Sequence, residues 1–413
     1  MLKSSSIWCA FSLLVALLAA FILTFPNPEL DWDDTHLPNA QRYMQELELT
    51  TTSTTTTNKE YPLRGLVIAI TGSTSGIGLE LTRTLSNLGA TVLAIGRSST
   101  KLERLFGDNP NVEPVLADLN DLASVSTASQ HILQRYHQLD VLVNNAGIHT
   151  GFSGMWTRTT TKQGYEPTFG VNYLSHFLLT EQLLPLMIRT SKKPKVVQIS
   201  SSFHRAVDGS DLGVVVVGGG GVDGGDTAQK SPPIASVPGG SHGFLLFKSQ
   251  RQYANSKLAQ IYHARSLQKR YHTAGVTAVS ICPAWVGTQI GSKEGTWMHT
   301  LFKMAVFPVD GYGLSSILHA IFDDYDHSKN QDDFYVNANI PGIERMETFL
   351  EPSWMYSLVP IRDLWGSLFA GFLLIAERFF PFYGTVKSSH PSYNERHQNE
   401  LYEWSRDAVS EWL

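Results

Sequence analysis

The fold this sequence predicts is a doubly wound α/β domain, a mainly parallel sheet of about seven strands with helices on both faces. Three observations carry that expectation. Short apolar runs rich in β-branched residues recur with helical stretches between them, the first run empties into a glycine-rich turn that opens a helix, and the later runs end on small polar residues. Runs apolar on both faces are what a strand needs when helices cover the sheet on either side.

The first run, Leu66-Val67-Ile68-Ala69-Ile70, leads directly into Thr71-Gly72-Ser73-Thr74-Ser75-Gly76-Ile77-Gly78 and then a helical stretch through Leu88. Glycines at 72, 76 and 78 permit a tight turn, close approach of backbone to a pyrophosphate and close packing of helix on strand, while the helix start offers N–H groups to the anion. Strand, glycines and helix in this order predict a dinucleotide cradle over Gly72, Ser73, Ser75, Gly76, Ile77 and Gly78. The second run, Thr91 to Ile95, ends at Gly96-Arg97, where a site for NAD usually carries a carboxylate for the ribose 2′-hydroxyl. An arginine suits a 2′-phosphate instead, so the expected cofactor is NADP(H) in preference to NAD(H). Val112 to Leu116 reads as a third strand leading to Asp118-Leu119, and Asp140 to Val143 as a fourth leading to Asn144-Asn145-Ala146-Gly147. Ligands of open α/β sheets sit outside the strand carboxyl ends, which places Asp118, Leu119, Asn145, Ala146 and Gly147 beside adenine and ribose; the same residue types also serve as ordinary turn and cap residues.

Farther along, Tyr253-Ala254-Asn255-Ser256-Lys257 sets a phenol and an ammonium four residues apart, side by side on one face of a helix. A nearby cation favours phenolate over phenol, so Tyr253 is expected to titrate well below its ordinary value of about 10 and to act as an acid or base near neutrality. The spacing alone also fits a solvated helix face.

Five features stand in the order they have in a known family: Thr71-Gly-x-x-x-Gly-Ile-Gly78, Asn144-Asn-Ala-Gly147, Val171-Asn172-Tyr-Leu-Ser-His-Phe177, Ile199-Ser-Ser201 and Tyr253-x-x-Ser-Lys257. From Leu66 to about Tyr335 the chain resembles the short-chain dehydrogenases/reductases, with their Rossmann fold, and looks most like the retinol-dehydrogenase and WW-domain-oxidoreductase branch. The resemblance implies a catalytic tetrad of Asn172, Ser201, Tyr253 and Lys257. Tyr253 would exchange the proton with the carbonyl or alcohol oxygen, Ser201 would hydrogen-bond that oxygen, Lys257 would bind the nicotinamide ribose and lower the tyrosine pKa, and Asn172 would hold a water linking the lysine to solvent. Because Ser200, Ser201 and Ser202 are contiguous, the choice of Ser201 rests on the family pattern. Asn172, on a helical stretch from Phe169 to Met187, also fits a structural bond to backbone. Cys282-Pro283-Ala284-Trp285-Val286-Gly287-Thr288 resembles the family's Pro-Gly-x-x-x-Thr turn with alanine in place of glycine, which implies Pro283, Val286 and Thr288 at the cofactor.

The 413 residues exceed one such domain, and no second fingerprint or repeat accounts for the excess. The expected organisation is a membrane anchor at 1–28, a linker at 29–62, a catalytic domain at 63–345 interrupted by a low-complexity surface insertion at 209–243, and a helical extension at 346–413. Ile7 to Phe25 is uncharged and of the length a spanning helix needs, which implies attachment to endoplasmic reticulum or a related endomembrane, on a side that the flanking charges leave open. A net charge of −5 gives no basic footprint for nucleic acid, the cluster Lys192-Lys193-Pro194-Lys195 being short enough for solvated loop, and two cysteines give neither a disulfide framework nor a metal site. Gly291 to Phe307 carries Trp297, Met298, Leu301, Phe302 and Met304, suited to an apolar ligand or to the core. Leu364 to Ala376 fits the membrane surface, the core or a homodimer seam equally. The function expected is an NADP(H)-dependent oxidoreductase, acting mainly as a reductase, that interconverts a lipophilic alcohol and its aldehyde or ketone. The alternatives are a reductase of a bulky pigment or secondary metabolite, and a non-catalytic scaffold that kept the fold.

Overall fold

The computed structural model describes residues 36–48, 61–149, 160–214, 216–217, 229–230, 232–237, 248–283, 286, 312–323, 334–336, 384–386 and 388–413. In chain order the strands are β1 (Val67–Thr71), β2 (Thr91–Gly96), β3 (Val112–Leu116), β4 (Val141–Asn144), β5 (Lys195–Ile199), β6 (Val216–Val217), β7 (Gln229–Lys230), β8 (Thr277–Cys282), β9 (Phe334–Val336) and β10 (Gly384–Val386). Six of them form a parallel sheet in the order β3-β2-β1-β4-β5-β8; β9 extends it in parallel and β10 closes the edge antiparallel. The pair β6 and β7 stands apart from the sheet.

Alternation along the strands feeds two cores. Ala69, Leu93, Leu142 and Val196 face one layer of helices, while Ile68, Ile70, Val92, Ala94, Val143 and Val197 face the other. The first layer includes the helices Leu122–Arg135 and Ser175–Thr190, the second Gly76–Asn87 and Ser315–Phe322. Both neighbours of β1 are fixed, β2 on one side and β4 on the other, so the chain reverses its winding there and opens a crevice above their carboxyl ends.

Two segments differ from expectation. Leu37–Glu48, inside the stretch read as linker, is a helix whose Ala40, Tyr43 and Met44 are buried in the second core, with the Tyr43 hydroxyl on the Lys193 carbonyl at 3.1 Å. Their i, i+3, i+4 spacing makes one apolar face, a signal the threonine tract beside it obscured. The described ends of the 209–243 segment are core as well: Asp211, Leu212 and Ala235 are fully buried. The glycine and valine content between those ends, not the ends themselves, produced the low-complexity reading.

Among the described residues no helix is long and apolar enough to cross a membrane. The expected anchor at 1–28, the segment Gly291 to Phe307, the run Leu364 to Ala376 and Thr288 lie outside the described residues.

Candidate active site

The cradle is built by backbone geometry. Gly72 and Gly76 have φ of +74° and +54°, a region closed to most side chains, and a Cβ on Gly78 would lie 2.4 Å from the Gly72 carbonyl oxygen and 2.5 Å from Asn145 Nδ2. Ser75, the N-cap of the helix Gly76–Asn87, makes no side-chain cap bond, which leaves the first N–H groups of that helix facing the loop. Ser75 is exposed and Ile77 buried, whereas Ser73 turns inward and its hydroxyl donates to the Ile70 carbonyl at 2.8 Å. The Asn144–Gly147 turn closes over the cradle: Asn145 and Ala146 N–H both donate to Thr71 Oγ1 at 2.9 Å, and Asn145 Nδ2 to the Thr71 carbonyl at 2.7 Å. Gly78→Ala is therefore expected to push Gly72 away from Asn145, costing about 1–3 kcal/mol of stability and most of the dinucleotide affinity; melting and a binding titration check both.

Around the cradle, Arg97 is exposed at the end of β2 and makes no hydrogen bond or ion pair among the described residues. Asp118 Oδ1 accepts from Asn120 N–H at 3.0 Å, an ordinary turn contact, and Leu119 packs on the first core. Gly147 lies beside Asn172 and Lys257: a Cβ there would be 3.5 Å from Asn172 Oδ1 and 3.6 Å from Lys257 Nζ. Pro283 and Val286 are buried past the end of β8.

The long helix Lys248–Tyr271 carries Tyr253 and Lys257 to this crevice. The three contiguous serines diverge. Ser200 donates to the Lys257 carbonyl at 2.8 Å, Ser202 donates to Cys282 Sγ at 3.2 Å, and Ser201 is the one of the three whose side chain acts on Tyr253, favouring the phenolate. Lys257 Nζ lies 5.3 Å from the Tyr253 ring centre and donates to the Ile199 carbonyl at 2.8 Å and to Gln260 Oε1 at 3.0 Å.

The tyrosine does not titrate as the spacing predicts. Burial raises the Tyr253 pKa above its ordinary value and negative charge at Cys282 adds to that, outweighing the opposite effect of Ser201. Burial also brings Lys257 down to about 7, so near neutrality only about half of the lysine is charged. A side-by-side pair on a solvated helix would behave as expected; burial of this pair leaves the lysine only partly charged near neutrality.

Asn172 sits in a π-turn, Gly170–Leu174, that leads into Ser175–Thr190. Its side chain is spent on protein groups: Oδ1 accepts from Ile148 N–H at 2.8 Å, and Nδ2 donates to the Ile148 carbonyl and to Ser256 Oγ, both at 3.0 Å. Ser256 donates in turn to the Tyr253 carbonyl at 2.7 Å, so Asn172, the 145–148 loop and the Tyr253 helix form one hydrogen-bonded unit. A water held by Asn172 would have to use its main chain.

Over residues 66–207 the sequence matches the short chain dehydrogenase family. That match covers about a third of the chain, which is similar to the family over that stretch. Its relatives include human (Homo sapiens) retinol dehydrogenase 12, 32% identical over 246 residues that make up 57% of this chain and 65% of the relative. Retinol dehydrogenase 13 of Mus musculus is 28% identical over 239 residues, 56% of this chain and 61% of the relative. Oxidoreductase calI of Penicillium decumbens is 31% identical over 228 residues, 52% of this chain and 57% of the relative. The chain thus spans less than two thirds of the length of these relatives. A solved structure of an uncharacterized protein from Mycobacterium paratuberculosis shares the fold, with a TM-score of 0.53 at 21% identity over 84% of this chain and 94% of that one.

The site also has neighbours that lie outside the sequence motifs. His149 and Phe203 stand edge-on to the Tyr253 ring, with centroids 5.1 and 6.1 Å away. His204 Nδ1 donates to the Ser201 carbonyl at 2.7 Å, and its Nε2 accepts from Ser389 N–H at 3.0 Å, which ties the C-terminal segment to the site. Gln260, one turn past Lys257, accepts a hydrogen bond from Lys257 Nζ. Its i, i+3 spacing is a readable signal; nothing local marks His149 or His204.

Proposed function

We propose that this chain is a short-chain dehydrogenase, an NADP(H)-dependent oxidoreductase that reduces a lipophilic aldehyde or ketone to its alcohol. One observation carries the reading: the Ser201 side chain stands against Tyr253, near enough to act on the phenol, in the crevice where the Asn144–Gly147 turn, Asn172 and Lys257 converge. A carbonyl oxygen placed between the two hydroxyls accepts the Tyr253 proton while Ser201 donates a second hydrogen bond to the charge that develops there. The bound nicotinamide supplies the hydride. Lys257, charged, steadies the phenolate left behind and passes a proton back to it.

The edge-on rings of His149 and Phe203 favour a substrate with apolar surface beside the reacting carbon. The apolar stretch Ile7 to Phe25 favours a substrate held in or near an endomembrane. For the cofactor, the exposed Arg97 at the β2 end and the absence of a carboxylate at that strand end support NADP(H).

The test is a panel of retinoid, steroid and long-chain carbonyls with the detergent-solubilised chain, scored by NADPH oxidation and product mass. Turnover of at least one apolar carbonyl is expected, and none with any carbonyl refutes the reading. Arg97→Ala is expected to lower the NADPH over NADH preference about tenfold, the effect of one exposed charge-assisted contact; equal efficiency of the two cofactors in the wild type refutes the preference.

A further inference from the structure

His176, four residues after Asn172 on the same helix, is fully buried. Its Nδ1 lies 2.9 Å from the Asn172 carbonyl oxygen and its Nε2 2.9 Å from Thr71 Oγ1. A carbonyl only accepts, so the proton is on Nδ1 and Nε2 is an acceptor. The Thr71 hydroxyl fits that tautomer alone. Its oxygen already accepts the N–H groups of Asn145 and Ala146, which leaves its own proton for Nε2. Burial holds the imidazole down to about 4, so it is neutral near pH 7, and a second ring proton would face a hydroxyl with no lone pair to give.

The circuit has a mechanical consequence. The Asn172 side chain already grips Ile148 at one end of the 145–148 loop, and His176, through Thr71, grips Asn145 and Ala146 at the other. The loop that covers the cradle is thus tied to the helix of Asn172 at both ends. We propose that His176 is a positioning residue: one imidazole locks the dinucleotide-facing turn to the helix of Asn172, so that binding at the cradle and placement of Asn172 against Ser256 and Tyr253 are a single event. The proposal deepens the function given above and rests on it.

Three variants of the full chain separate the two ends of the lock. His176→Asn keeps a donor where Nδ1 was and cannot reach Thr71; His176→Gln keeps a polar atom near Nε2 and gives up the Asn172 carbonyl; His176→Leu loses both. With NADPH as probe, the leucine variant is expected to bind about fivefold or more weakly and to turn over about tenfold or more slowly. Asparagine should restore turnover more than affinity, and glutamine affinity more than turnover. The ¹⁵N spectrum of the nucleotide-free wild type should contain a neutral histidine protonated at Nδ1 that is absent from all three variants. Variants that lose only melting temperature, a matched loss in asparagine and glutamine, or a His176 signal protonated at Nε2 overturn the inference. Failure of the proposed function would be visible in the wild type itself, as no NADPH binding or no carbonyl turnover, whereas failure of this inference appears as variants that match a wild type that binds and turns over.

Discussion

Tyr253→Phe is expected to lower turnover by about 10² to 10⁴-fold, the worth of a well-placed general acid, with dinucleotide affinity and melting temperature nearly unchanged. The phenyl ring keeps the edge-on packing of His149 and Phe203, so little beyond the hydroxyl is lost. The pH dependence sharpens the prediction. In the nucleotide-free protein Lys257 is brought down to about 7 by burial, so it is charged below that pH and neutral above it. Only the charged form offsets the phenolate that proton donation creates, and Tyr253, raised by its own burial, stays protonated throughout the range. Because kcat/KM reports the free protein, carbonyl reduction is expected to fall as pH rises through about 7, and Tyr253→Phe should lose that limb together with the rate. Wild-type turnover in the phenylalanine variant would instead remove Tyr253 as the acid, and no turnover in the wild type would revive the reading of a fold kept for scaffolding.

How far the chain could be read in advance follows from where each signal lies. The strands were legible because parallel strands are apolar on both faces: Val112–Leu116 falls where it was expected, and Val67–Thr71 is one residue displaced. The Gly78 requirement was legible too, since a tight turn and a close backbone approach leave a mark in composition. The protonation of the Tyr253–Lys257 pair was not, because pKa depends on burial and on charges such as that at Cys282, both set by residues distant in sequence. Nor was the part played by the C-terminal residues. Glu395–Ala408 packs Leu401, Tyr402 and Trp404 on the back of the site, with the Tyr402 hydroxyl donating to Glu181 at 2.8 Å and the Tyr173 hydroxyl 2.8 Å from Ser405 Oγ, contacts across more than 200 residues that no local pattern encodes.

The same reasoning makes Asp211 the position of largest expected effect on stability, although it lies in a stretch whose composition suggested a surface excursion. Its side chain is fully buried, its Oδ2 accepts from Arg251 Nε at 2.6 Å and from Asn255 Nδ2 at 2.9 Å, and the Arg251 side chain is 2% exposed. Removing one partner of a buried pair leaves the other charge desolvated, a cost of about 3–5 kcal/mol. Asp211→Leu and Arg251→Met are each expected to lower the melting temperature by roughly 6 to 20 °C. The double variant should recover more than half of that loss, because the buried carboxylate and guanidinium leave together, and should stop short of full recovery because Asp208 loses Arg251 and Asn255 Nδ2 loses the Asp211 carboxylate. Arg251 and Asn255 flank Tyr253 on its helix, so the pair fixes the start of the insertion to the element that presents the phenol. An unchanged melting temperature in Asp211→Leu would mean that the segment detaches freely and that its buried end carries no share of the fold.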